Sequence, residues 1–235
     1  PREARYGVFE IAMNHPGEIE PLARQVEAHV GVVTNVGPAH IGFMGSEEAI
    51  ADEKACLFAG MAPSAAAVLN RDNRHYERIA GHARHFGVSR IVGFGRSEAA
   101  DVRLLSCDLQ DSGSDVVALI HGRRIEYRLG AAGEHWVLNS VAALAVVEAL
   151  GADVVQAAAT LADVCASPGR GARRILKLGA GTVELLDESY NGNPVSVRAM
   201  LAVLARAEPA EGGRPLLALG DMPELGHGAD AYHAA

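Results

Sequence analysis

From Tyr6 to Phe94 short apolar runs alternate with helix-periodic stretches, and this rhythm restricts the fold more than any single motif does. Apolar runs at Tyr6–Met13, Val30–Val36, Ala65–Leu69 and Ser89–Phe94 read as strands. Between them, Ile19–Ala28, Ser46–Ala59 and Arg74–Ala83 read as helices. Strands separated by helices imply right-handed crossovers, and hence an α/β fold with a mostly parallel sheet and helices on both faces. The rhythm breaks at Ala100–Leu129. There Val102–Leu109, Asp115–His121 and Arg124–Leu129 are joined by Asp-Ser-Gly-Ser and His-Gly-Arg turns, which predict a small antiparallel subsheet. His135–Leu150, stopped by Gly151, and Asp153–Cys165 read as two apolar helices. Ser167-Pro-Gly-Arg-Gly171 is the best domain boundary, giving domains at 1–167 and 168–235. Beyond it, Thr182–Leu186, a helix near Val195–Ala205 and Pro215–Leu219 read as the start of a second α/β domain. The chain opens on Pro1 with a strand almost at once, and reads as a piece of something longer.

With 49% hydrophobic and 21% charged residues over 235 positions, the chain has ample material for a buried core. The formal charge is −8 and the basic residues are dispersed, which argues against nucleic acid or an anionic membrane as a partner. The longest apolar run, Val141–Val147, is far too short to span a bilayer, and no charged-then-apolar leader opens the sequence. A soluble, cytoplasmic protein is expected. Cys56, Cys107 and Cys165 lie far apart without a Cys-x-x-Cys pair, as reduced packing thiols do. Only two of the 21 basic residues are lysines, Lys54 and Lys177, so a lysine here stands out.

Chemistry concentrates in three places. Leu185-Leu-Asp-Glu-Ser-Tyr-Asn-Gly-Asn-Pro-Val-Ser196 runs from an apolar strand into a cluster of hydrogen-bonding side chains. It reads either as a binding edge or as an Asx-rich turn capping the following helix. Glu10 is a carboxylate in a strand expected to be buried on both faces, and such a group needs a partner or a cation. His40 follows the second strand, where doubly wound sheets gather ligands, and so can approach Glu10. Lys54, within Asp52-Glu-Lys-Ala55, has the alternative of an ordinary solvated helix face. His75, His82 and His85 fall roughly on one helix face, and with no acidic or cysteine partner expected nearby this reads as a wet face rather than a metal site. Gly93-Phe-Gly95 and Gly179-Ala-Gly181 lack the third glycine of a dinucleotide fingerprint, and neither lysine lies in a Gly-x4-Gly-Lys-Ser/Thr phosphate loop.

A series of segments recurs in a fixed order: Glu10 with Asn14-His-Pro-Gly-Glu-Ile19, Asn35-Val-Gly-Pro-Ala-His40, Glu53-Lys54, Leu69-Asn-Arg-Asp72, Asn139, Asp187-Glu-Ser-Tyr-Asn-Gly-Asn-Pro194 and Leu219-Gly-Asp-Met-Pro-Glu-Leu-Gly226. In this the chain resembles the Mur ligases, and within them the branch that joins D-alanyl-D-alanine to a UDP-linked muramoyl tripeptide. The resemblance implies a central ATP-binding domain followed by the start of a Rossmann-like domain, in a cytoplasmic monomer of peptidoglycan synthesis. It implies an ATP-dependent amide ligation through an acyl phosphate, with Mg2+ at the phosphates. Glu10 and His40 would be the magnesium-side residues, and Lys54 would match a carbamylated lysine that acts as an oxygen ligand. Asn139, Arg170, Asp187 and Tyr190 would bind the nucleotide, with Asn139 reading adenine. Asn14, His15, Asn191 and Asn193 would contact substrates. Trp136 stands where many relatives have a second asparagine, and Glu188 and Gly192 replace the commoner Asp and Ala. The family's N-terminal UDP-sugar domain, its phosphate loop and most of its C-terminal domain are absent from these residues, so the chain as written is expected not to catalyse. A sibling ligase, a folylpolyglutamate synthase or a non-catalytic nucleotide-binding scaffold are the alternatives.

Overall fold

The protein, represented by a computed structural model, is described over residues 3–179, 181–209 and 212–234. Its first half runs α1 (Ile19–Val26), β1 (Val30–Val33), α2 (Ile41–Met44), α3 (Glu47–Ala55), a 3-10 turn at Cys56–Gly60, β2 (Ala66–Asn70), α4 (Tyr76–His85) and β3 (Arg90–Gly95). Then follow β4 (Val102–Gln110), β5 (Gly113–Ile120), β6 (Arg123–Leu129), α5 (Glu134–Ala149) and α6 (Val154–Thr160). The remainder holds β7 (Ala172–Leu178), β8 (Gly181–Asp187), α7 (Pro194–Leu204), a 3-10 stretch at Pro223–Gly228 and α8 (Ala229–Ala234).

β1 to β6 form one sheet in sequence order, parallel from β1 to β4 and antiparallel from β4 to β6. The expected antiparallel subsheet is therefore continuous with the parallel part. The first residues of β4 extend the ladder of β3 at Phe94↔Val102 and Gly95↔Arg103 before the rest of the strand pairs with β5. A strand alternates its side chains between faces, and on β2 both sets are buried. Ala66 and Val68 join the core that contains Val137, Val141 and Leu144 of α5. Ala67 and Leu69 join a second core with Ile19 of α1, Ile50 of α3 and Ile79 of α4. Each fully buried large side chain in these layers, Phe58, Phe94 and Leu144 among them, contributes about 1.5–3 kcal/mol through removal from water.

Two expected strands are not strands. Tyr6–Met13 is irregular and unpaired, with Val8 99% and Phe9 67% exposed. Pro215–Leu219 likewise carries no regular structure, and Leu216, Leu217 and Leu219 are exposed. A strand exists only through its ladder, and no described strand pairs with either segment. Conversely, β7 was not foreseen: it pairs antiparallel with β8 from Ala172↔Asp187 to Leu178↔Gly181, so Gly179 follows one strand of a ladder and Gly181 opens the other. His75 also departs from the wet-face expectation. It is buried at the N-terminus of α4, with Nε2 3.0 Å from Arg74 and 3.4 Å from Glu47. His82 bonds Asp52 at 2.8 Å, tying α4 to α3. Among the described residues no helix is long and apolar enough to cross a membrane.

Candidate functional site

The loops leaving β1 and β2 brace one another. Asn70 Nδ2 donates to Thr34 O at 3.0 Å, and Asn73 Nδ2 donates to Val36 O at 2.9 Å and to Asn35 Oδ1. The loop after β1 ends on His40, held in the left-handed region at φ 62° immediately before α2. Such a backbone is uncommon outside glycine and signals a constrained position. His40 Nδ1 lies 2.6 Å from Glu224 Oε2, close enough for strong attraction but off the axis of a hydrogen bond. The approach rests on two glycines. A Cβ at Gly42 would fall 2.9 Å from Glu224 O and from Gly226 N, and one at Gly226 would fall 2.9 Å from Gly42 Cα. Nearby, a Cβ at Gly37 would lie 3.0 Å from Val195, so the start of α7 lies against the β1 loop.

α3 starts on Ser46, whose hydroxyl accepts from Ala49 N at 3.1 Å, and carries Lys54 in its last turn. Burial lowers the Lys54 amine below its ordinary value, because the charged form loses water without replacement. Lys54 makes no ion pair or hydrogen bond with any described residue. Its neighbour Glu53 is buried at 7% exposure and accepts from Gly17 N at 2.8 Å and Ile19 N at 2.9 Å. Within the same loop Glu18 accepts from Asn14 N at 2.7 Å and His15 N at 3.1 Å, and these bonds hold its carboxyl below the usual range. The His15 ring lies 5.0 Å from Phe43 of α2, so the Asn14–Ile19 loop touches both α2 and α3.

Glu10 stands apart. It is exposed in the irregular N-terminal segment, and neither His40 nor any other described residue pairs with it. Among the described residues no three His, Cys, Asp or Glu side chains converge as a metal site. The burial expected for Glu10 depended on its strand, and the strand is not formed.

A second group surrounds the Ser167–Gly171 turn. The Arg170 guanidinium lies 4.2 Å over the Tyr190 ring, and Tyr190 N donates to Gly169 O at 3.0 Å. Gly171 N donates to Asp187 O at 2.8 Å. The Asp187 carboxylate accepts from Ser189 Oγ at 2.6 Å and Arg174 at 2.7 Å; the Ser189 bonds foremost, then Arg174, hold it below the carboxylate range. Burial pushes Glu188 up, helped by the Asp187 charge and opposed by Arg170. A Cβ at Gly171 would fall 3.1 Å from Glu188 Oε1 and 3.8 Å from Trp136 Nε1, so this glycine lets the turn, Glu188 and the α5 indole meet. Asn139 is exposed one turn further along α5. Asn193 caps α7, accepting from Val195 N and Ser196 N at 3.0 Å while Ser196 Oγ accepts from Asn193 N, a complete capping box. The Asx-turn reading thus describes Asn193, whereas Asn191 and Tyr190 remain exposed.

Three residues in contact with this site lie in the motif segments but were given no role by the sequence reading. Glu18 had a local signal, a carboxylate three and four residues after the amides it accepts from. Glu53 and Glu224 act on segments far away in the chain, and nothing local signalled those contacts.

Residues 1–147 match the Mur ligase middle domain. The UDP-N-acetylmuramoyl-tripeptide–D-alanyl-D-alanine ligase of Mycobacterium tuberculosis is 37% identical over 236 residues, spanning 99% of this chain and 45% of that protein. The crystal structure of MurF from Acinetobacter baumannii superposes with a TM-score of 0.81 at 27% identity, covering 94% of this chain and 46% of that one. MurF ligase from Thermotoga maritima in complex with ADP gives 0.78 at 26% identity, covering 95% and 49%. The chain spans about half the length of these relatives. Matched through its parallel sheet and α5, the chain belongs to the Mur ligase family, whose middle domain its first 147 residues carry.

Proposed function

We propose that the protein is an ATP-dependent ligase that joins D-alanyl-D-alanine to a UDP-N-acetylmuramoyl tripeptide, in the cytoplasm and as a monomer. The substrates follow the name of the Mycobacterium tuberculosis relative, which aligns with 99% of this chain. The structural observation that carries the reaction class is Lys54. A half-buried amine with no counter-ion among the described residues, held below its ordinary pKa, favours the neutral form that adds carbon dioxide to become a carbamate.

In the ligation, a terminal carboxylate oxygen of the tripeptide attacks the γ-phosphorus of ATP and ADP leaves. The dipeptide amine then attacks the acyl carbon, phosphate departs and the amine loses a proton. Asn139, Arg170, Asp187 and Tyr190 are the proposed nucleotide contacts, Arg170 and Tyr190 acting as the stacked pair already described. Asn14, His15, Asn191 and Asn193 are the proposed substrate contacts; Asn193 does so with its amide nitrogen, since its oxygen caps α7. The proposed division at 1–167 and 168–235 puts these groups on two domains, so the site assembles as the domains approach.

Magnesium would arrive with the nucleotide and neutralise phosphate oxygens, and Glu10, His40 and carbamylated Lys54 are its proposed neighbours. The residues as placed do not make that site, because Glu10 is exposed and unpaired and His40 faces Glu224.

The test is phosphate release from ATP by the full-length protein, given magnesium and UDP-muramoyl tripeptide, with and without D-alanyl-D-alanine. Release that needs the dipeptide is expected. Release with a different amine would reassign the protein to a sibling ligase, and no release with any amine would leave a nucleotide-binding scaffold.

A further inference from the structure

The Asn14–Ile19 loop hangs on two carboxylates of different origin. Glu18, inside the loop, takes the amides of Asn14 and His15. Glu53, from α3, takes those of Gly17 and Ile19, one on each oxygen, at 2.8 and 2.9 Å. Ile19 opens α1, and no side chain of the preceding residue caps that helix. Glu53 supplies the missing cap from another helix, where charge and dipole both favour it. Gly17 lies at φ 86°, a conformation that turns its amide toward Glu53 and that an L side chain disfavours.

Among the described residues Glu53 is one of the few buried charged side chains, and its sequence neighbour Lys54 makes no ion pair with it. A buried carboxylate is tolerated only when its acceptors are filled, and here backbone amides of one loop fill them. The helix that presents Lys54 thus also fixes the loop that leaves Asn14 and His15 exposed.

We propose that Glu53 is a positioning residue of the ligation site, holding the Asn14–Ile19 loop in register with Lys54 so that Asn14 and His15 meet the tripeptide substrate. This rests on the ligase reading above.

The test uses the full-length protein with Glu53→Gln, which keeps the shape but puts an amide NH2 against one of the two backbone donors. Expected is a rise of about tenfold in KM for UDP-muramoyl tripeptide, the scale on which supporting residues act, with KM for ATP unchanged. Faster hydrogen exchange at the Gly17 and Ile19 amides should accompany it. Gly17→Ala displaces the same loop without touching Glu53, since its added methyl meets nothing within 4 Å, and is expected to raise the same KM. It also serves if Glu53→Gln does not fold. Unchanged tripeptide KM in the variants, or a loss of kcat and both KM values that merely tracks a lower melting temperature, would overturn the positioning role. A wild-type protein without dipeptide-dependent phosphate release would instead overturn the ligase reading on which it rests.

Discussion

His40 Nδ1 and Glu224 Oε2 lie 2.6 Å apart, joining the loop that leaves β1 to the 3-10 stretch near the other end of the chain. The glycines beneath them set the distance. Gly42→Ala places a methyl 2.9 Å from backbone on the facing segment, so the two must separate, at a cost of about 1–3 kcal/mol. Faster proteolysis or hydrogen exchange across Pro223–Ala234 is the expected sign, and unchanged protection there would show that the contact does not hold the segment.

Tyr127 and Ser140 offer an asymmetric pair. Ser140 Oγ donates to Val137 O at 2.7 Å, so at 2.7 Å Tyr127 must be the donor to Ser140. Burial pushes the Tyr127 phenol up to about 12, keeping that proton in place. Ser140→Ala strands a buried hydroxyl and should cost about 1–3 kcal/mol, whereas Tyr127→Phe removes the donor and should cost about 0.5–1.5. Urea denaturation of both variants checks the order.

Asp52 accepts from Arg78 at both oxygens, from Nε at 2.5 Å and from Nη2 at 2.6 Å, and pairs with His82 at 2.8 Å. The Arg78 bonds first, then His82, hold its carboxyl below the ordinary value, with burial opposing. A depressed carboxylate pKa adds stability above the unfolded value of about 3.9 and loses it as pH falls through the folded one. The group is partly exposed, so the contribution is within about 1 kcal/mol. The melting-temperature gap between wild type and Asp52→Asn should close as pH drops below about 4; a gap independent of pH would refute the linkage.

Lys54→Ala in the full-length protein is expected to abolish ligation, and Lys54→Arg not to restore it, since guanidinium forms no carbamate. With 13C-bicarbonate, a carbamate resonance should be present in the wild type and missing from Lys54→Arg. The sign follows from the lowered amine: its neutral form is reached at lower pH than in a fully hydrated lysine, so the resonance should grow as pH rises. Activity retained by either variant would remove Lys54 from the mechanism.

Elements whose evidence is local were legible in the sequence. The helix at Glu134–Ala149 carries its own apolar content, and β1, β2 and β3 fall within a few residues of their apolar runs. Tyr6–Met13 and Pro215–Leu219 look equally apolar, but a strand is completed by a neighbour, and composition says nothing of whether one is present. His75 was misjudged for a related reason, since Glu47, which faces it at 3.4 Å, lies on α3. At the site, the motif order drew attention to His40, Lys54 and Tyr190, and their roles remain proposals. It did not reveal that Glu53 points into the Asn14–Ile19 loop, because that depends on how two helices pack rather than on spacing.

The single sheet is assembled from two kinds of connection, and they differ in how far the chain must search. β4, β5 and β6 reverse direction within two residues, at Gln110↔Gly113 and Ile120↔Arg123, with His121 and Gly122 both at positive φ as a tight hairpin requires. β1, β2 and β3 meet only after helical crossovers. Local closure is faster than closure of long loops, so the hairpins should gain protection first in pulse-labelled refolding, and β4 then serves as the template on which β3, β2 and β1 are laid down in turn.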